Sequence, residues 1–171
     1  ITLSVMQTPE SLTRFALELI EDVAQENVRY IEVRYSPILH QQKGMTLDMA
    51  IDSVKKGLHE GEKKFGVKSG IILCGIRSIS PNVSLRLADL AVQYKNKGVV
   101  GFDLAGAEEN FPAKEHREAF YQIRNNNINS VKIGGNKQLN THFTGRIGHF
   151  IIKTTPYSFE SICDSSRLCQ I

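Results

Sequence analysis

The chain has 171 residues, of which 41% are hydrophobic and 23% charged, with a formal net charge of +3. This is ordinary for one globular domain, and no apolar run reaches the ~20 residues of a membrane span. The charge excess sits in residues 131–171, where Lys132, Lys137, Arg146, Lys153 and Arg167 meet only Glu160 and Asp164. Such scattered cations make no nucleic-acid surface. No charged segment followed by an apolar one opens the sequence, so no secretory signal is expected. Cys74, Cys163 and Cys169 are too few for a disulfide framework and suit a reducing, cytoplasmic compartment.

Residues 1–7 read as a stub. Thr8-Pro9-Glu10 starts a helix, with a capping hydroxyl, a proline at the first helical position and an acid in the first turn. Leu12, Phe15, Ala16, Leu19, Ile20, Val23 and Ala24 form its apolar stripe. Val28 to Tyr35 alternates and is rich in β-formers, which predicts a strand ended by Ser36-Pro37. Arg34 and Ser36 at its carboxyl end read as a strand-end salt bridge and a turn serine. Pro37 to Gly44 reads as a loop.

Thr46 caps a second helix with Leu47, Ala50, Ile51, Val54 and Leu58 on its inner face and Gly66 as its stop. Val67 to Ile76 is the next strand. Cys74 lies inside its apolar run and reads as a packed thiol. Ser80-Pro81-Asn82 starts a third helix, which Leu85, Ala88, Leu90, Ala91 and Val92 carry to its end at Lys97-Gly98.

Val99 to Glu108 is apolar until it meets Asp103, Gly106 and Glu108. An apolar run between helices predicts a buried parallel strand. Polar residues past such a strand's carboxyl end are where barrel enzymes handle substrate. Phe111-Pro112 leads a fourth helix with Ala119, Phe120 and Ile123 inward, and Ile128 to Ile133 is a weak strand. Alternating helices and strands with short connections predict an α/β chain of parallel (β/α) units. Four such units make half of a (β/α)8 TIM-type barrel, which typically needs ~250 residues.

Glu26-Asn27-Val28-Arg29-Tyr30-Ile31-Glu32-Val33-Arg34-Tyr35-Ser36-Pro37, followed by Gly98-Val99-Val100-Gly101-Phe102-Asp103-Leu104-Ala105-Gly106-Ala107-Glu108, closely resembles the adenosine deaminase family. The helix from Thr8, the Cys74–Arg77 strand end and the Phe111–Phe120 segment resemble it too. The resemblance covers about residues 1–130. It implies a zinc-dependent barrel that hydrolyses adenosine or deoxyadenosine to the inosine and ammonia, in purine salvage. Zinc would lower the pKa of a bound water, a Glu would protonate the purine ring, and a His would orient the water. By the family pattern the backbone amide of Gly106 reads the purine edge.

Departures from the pattern are large. The family's first two zinc ligands form a His-x-His on its first strand, and this sequence starts after that point. Lys132 stands where the third ligand His is expected and Gly135 where the catalytic Glu is expected. A protonated Lys has no lone pair for zinc. Zinc, expected for the family, is therefore not expected on this ligand set, and no metal ligand is assigned. Arg146-Ile147-Gly148-His149 resembles the family's strand with the catalytic His, which gives that role to His149.

After residue 130 the charge balance, helical period and family wording all change. The expected organisation is a deaminase-like (β/α) domain at 1–130, lacking its start, and a divergent tail at 131–171 from an altered gene product. Phe150-Ile151-Ile152 reads as a short strand and Ser158 to Cys163 as a helical turn. His142, His149, Cys163 and Cys169 suit zinc by type, but their spacing matches no paired-ligand motif. Gly134-Gly135 lacks the rest of a phosphate-binding fingerprint. Two functions remain open: an adenosine deaminase, or a non-catalytic relative, either an inactive fragment or a domain that needs a partner chain to complete its barrel. The expected ligand is a purine nucleoside, without nucleic acid or membrane. An open half-barrel exposes two sheet edges, which predicts self-association.

Overall fold

The computed structural model describes residues 2–132, 146–147 and 150–155, with the side chains of 3–130. These residues form two compact units. The first holds residues 2–33, 37–70, 146–147 and 150–155, and the second holds 34–36 and 71–132.

In the first unit the expected stub contains a short helix, α1 (Thr2–Val5). It is held by non-local polar bonds that no local pattern reveals. Gln7 Nε2 donates to the carbonyls of Leu3 at 2.8 Å and Leu39 at 2.9 Å. The loop expected after Ser36 contains a 3-10 turn at Pro37–His40, and His40 Nδ1 lies 2.7 Å from the Met6 carbonyl. Helix α2 (Pro9–Gln25) starts where Thr8 predicts. The Thr8 hydroxyl accepts the Ser11 N–H, and Ser11 Oγ accepts the Thr8 N–H, both at 3.2 Å. This reciprocal cap satisfies two donors that the first helical turn leaves open.

Helix α3 (Leu47–Phe65) is capped by Thr46 and stopped by Gly66 at φ 75°, a conformation that glycine adopts freely. Leu12, Ala16, Leu19 and Ile20 of α2 and Ala50, Ile51, Val54 and Leu58 of α3 are buried. The two helices meet at glycines. A Cβ on Gly57 would stand 2.1 Å from the Thr13 carbonyl oxygen, and one on Gly61 would stand 2.6 Å from Ile20 Cβ. The Thr13 hydroxyl donates to the Ser53 carbonyl at 3.1 Å across the same contact.

Strands β1 (Tyr30–Tyr35) and β2 (Lys68–Ile76) start one to two residues later than their apolar runs predict. Val28 is spent on the turn out of α2, where its N–H bonds the Val23 carbonyl at 3.1 Å. Their carboxyl ends belong to the second unit, with β3 (Val99–Ala105) and β4 (Asn129–Lys132). The order there is β4-β3-β2-β1. Strands β2 and β3, and β3 and β4, are parallel, with Cys74 opposite Asp103 and Leu104 opposite Lys132.

Helix α4 (Pro81–Tyr94) precedes β3, and α5 (Arg117–Asn125) follows a 3-10 turn at Ala113–His116. The inner face of α4 is formed by Ser84, Leu87, Ala88, Leu90, Ala91 and Tyr94, with Leu85 and Val92 only partly buried. The cause is a close approach to β2, where a Cβ on Gly75 would stand 2.7 Å from Ser84 Oγ. Phe120 meets Phe102 of β3 edge to face, with ring centroids 5.6 Å apart. This packing accounts for the place of α5 on the sheet.

The expected strand at Phe150–Ile152 is present within β6 (Phe150–Thr155), which pairs with β5 (Arg146–Ile147). The pairing is antiparallel, unlike the parallel units before it. Only two residues join β5 to β6, and a parallel crossover needs a dozen or more. The expectations at Ile133, Gly134, Gly135, His142, His149 and 156–171 lie outside the described residues. Among the described residues no helix is long and apolar enough to cross a membrane.

Candidate functional site

The carboxyl ends of β1, β2 and β3 gather Arg34, Ser36, Arg77, Asp103, Gly106 and Glu108 within the second unit. Asp103 does not face outward as its place near a strand end suggests. It is fully buried, and its Oδ1 accepts the Leu104 N–H at 2.6 Å. Its Oδ2 pairs with Arg34 Nε, also buried. The guanidinium reaches from β1 past β2 to β3, beside Cys74. The strand-end salt bridge expected of Arg34 is thus a buried one that ties three strands. The Ser36 hydroxyl is buried with no hydrogen-bond partner among the described residues.

Burial pushes the Asp103 carboxyl up to about 6, against the opposing pull of Arg34, the Leu104 N–H and Arg77. In the unfolded chain the same group titrates near the ordinary ~3.9. The folded state therefore binds the proton more tightly between about pH 4 and pH 6, so protonation favours folding there. Stability from this group rises as pH falls through that window. Urea unfolding of the full chain at pH 7 and pH 5 should show the wild type gaining on Asp103→Asn at the lower pH; an unchanged difference would refute the shift. Burial also pushes the Cys74 thiol up to about 11, with Arg34 pulling the other way. A thiol so placed is a packed side chain and not a nucleophile, as its apolar run predicts.

Gly106 follows the last residue of β3 at φ 104°. A Cβ there would lie 3.3 Å from the Arg77 backbone nitrogen and 3.5 Å from Arg77 Cβ. The Arg77 N–H donates to the Ala105 carbonyl at 2.7 Å, and its Nη2 donates to Glu108 Oε1 at 2.7 Å. His116, which sequence reading passed over, is buried below this turn. Its Nδ1 lies 2.8 Å from Ser84 Oγ and its Nε2 3.2 Å from the Arg77 carbonyl. Its only sequence signal is a polar residue at the start of an amphipathic helix, which usually means a solvated turn. Both ring nitrogens are engaged, so His116 is no metal donor. Among the described residues no three His, Cys, Asp or Glu come together in a way that could hold a metal ion. Lys132, where a ligand His was expected, is the last residue of β4. His149 and Gly135 lie outside the described residues.

The sequence model of adenosine deaminase matches residues 1–143. A probable adenosine deaminase of Dictyostelium discoideum is 38% identical over 86% of this chain and 19% of its own length. Adenosine deaminase of Mycobacterium ulcerans is 40% identical over 74% of this chain and 36% of its own. Adenosine deaminase 1 of Streptomyces coelicolor is 41% identical over 78% and 35%. The chain thus spans 19–36% of the length of these curated relatives. Among solved structures, an amidohydrolase of Burkholderia ambifaria with bound Zn superposes with a TM-score of 0.71 at 22% identity, over 75% of this chain and 36% of that one. The N6-mAMP deaminase of Arabidopsis superposes at 0.70 with 23% identity, over 78% and 42%. These likenesses show the fold alone, the (β/α) units of a barrel. With most of the sequence under one family model, and with Glu26–Pro37 and Gly98–Glu108 folded into β1 and β3 as the resemblance implies, the chain belongs to the adenosine deaminase family.

Proposed function

We propose that this chain carries the purine-recognising part of an adenosine deaminase and lacks the metal-assisted hydrolytic part. The whole protein would convert adenosine or deoxyadenosine to the inosine and ammonia, in the cytoplasm, where a buried unpaired Cys74 is stable. The observation that carries this reading is Gly106. It is exposed at the end of β3 with φ 104°, where family resemblance puts the purine edge. Its N–H would donate to a ring nitrogen. That single bond would orient the base against the strand ends.

Zinc, which the family implies, does not fit the residues described. Asp103 is occupied by Arg34, His116 by Ser84 and the Arg77 carbonyl, and the cations Arg34 and Arg77 fill the strand ends. By motif, His149 would orient a water in the family's reaction, but Gly135 offers no group to protonate the ring. Self-association would use β4, which ends the strand order among the described residues.

The test uses the full chain. It is saturated with zinc, desalted and assayed for bound metal, for adenosine binding and for loss of adenosine absorbance. The expected result is adenosine binding without stoichiometric zinc or turnover, with Gly106→Ala weakening binding by about tenfold, roughly 1.4 kcal/mol, as the added Cβ at positive φ strains the turn against Arg77 and re-aims the amide. Stoichiometric zinc with turnover overturns the incomplete site. Equal adenosine binding by Gly106→Ala overturns the role of the amide.

A further inference from the structure

We infer that Arg77 is a positioning residue for the Gly106 amide; this rests on the reading that the amide meets the purine edge. Two bonds from Arg77 reach the turn that holds Gly106, and a third anchors Arg77 itself. On one side its N–H donates to the Ala105 carbonyl at 2.7 Å. On the other its guanidinium grips Glu108, two residues past Gly106, at 2.7 Å. Its own carbonyl is held at 3.2 Å by His116 Nε2, whose other nitrogen rests on Ser84 of α4.

The Arg77 side chain is 5% exposed, whereas Glu108 is 52% exposed. The anchor is thus fixed in the unit and the loop is what it holds. Main chain and side chain of one residue bracket a peptide whose φ of 104° leaves it little steric guidance of its own. Asn110 at φ 65° and the Phe111 N–H bond to the Glu108 carbonyl at 3.2 Å close the rest of the loop on the same carboxylate residue. A planar guanidinium suits this task, because it fixes the carboxylate in direction as well as distance. Freed from Arg77, Glu108 would leave the turn tied, among the described residues, through Ala105. The Gly106 N–H would then point in many directions, and an oriented donor would become an averaged one.

The test uses the full chain with Glu108→Ala, and with Glu109→Ala as the control acid next to it. Amide hydrogen exchange over residues 105–109 reads the turn directly. Binding of adenosine against its 1-, 3- and 7-deaza analogues reads whether the amide still recognises one ring nitrogen. In Glu108→Ala, exchange should quicken about twofold to fivefold, the scale of one partly exposed ion pair. The preference for adenosine over one deaza analogue should fall by a similar factor. Glu109→Ala should change neither. Unchanged exchange in Glu108→Ala overturns the inference. Faster exchange with the full preference retained also overturns it, since the tether would then be structural alone. A wild-type chain that binds all four nucleosides alike refutes the Gly106 reading instead, and the exchange result alone then decides whether Arg77 holds the turn.

Discussion

Arg34→Met is expected to lower the unfolding free energy of the full chain by about 3–5 kcal/mol at pH 7, the usual cost of stripping one partner from a buried ion pair. The substitution keeps most of the apolar stem and removes only the guanidinium, so packing changes little. What remains is Asp103, fully buried, with its carboxylate facing no cation on β1. Its charge is already disfavoured there, as the rise to about 6 shows. Without Arg34 the rise must be larger. A buried acid of raised pKa favours the fold when protonated, so part of the loss should return as pH falls from 7 to 5. The double variant Arg34→Met, Asp103→Leu should recover much of the stability, because two apolar groups replace two charges that must both be desolvated. Urea unfolding of the three proteins measures this. A loss under about 1 kcal/mol for Arg34→Met, the worth of a surface pair, would show that the ion pair is not buried in solution.

Gly57→Ala is expected to cost about 3 kcal/mol, although alanine is the better helix former by about 1 kcal/mol. The added methyl would stand 2.1 Å from the Thr13 carbonyl oxygen and 2.8 Å from Ala16 Cβ. A backbone carbonyl cannot swing aside as a side-chain tip can, so α2 and α3 must separate. Their separation would also stretch the Thr13–Ser53 bond across the same contact. Gly66→Ala is the informative comparison. Nothing lies within 4 Å of its would-be Cβ, and only the positive φ resists the change. That should cost about 1 kcal/mol. Far-UV circular dichroism with urea unfolding distinguishes the two. A stabilised Gly57→Ala would mean that the helices do not pack this closely.

The elements were legible because their signals are local. Thr8, Pro9, Thr46 and Gly66 mark helix ends through bonds to residues a few positions away. The apolar run of Val99–Leu104 needs no partner to be recognised as a buried strand. The family was legible for a different reason: two long stretches of wording in the right order specify more than any period does. The inner face of α4 was not legible, because Leu85 and Leu87 are equally apolar. Only the near-contact of Gly75 with Ser84 decides which turns inward.

The site was legible residue by residue and not as an arrangement. Arg34, Arg77, Asp103 and Glu108 could all be seen at strand ends, but pairing them takes distances between residues 31 or more positions apart. Sequence alone determined the βα order, the caps of α2 and α3, the family, and the Lys and Gly at positions where a ligand and an acid were expected. Tertiary structure alone decided that Arg34 takes Asp103 and Arg77 takes Glu108, that His116 supports the turn, and that glycines let α2 and α3 touch. The physical reason is one of range. Capping and amphipathic periodicity act within a helical turn or two, whereas ion pairing and close packing depend on where the chain returns.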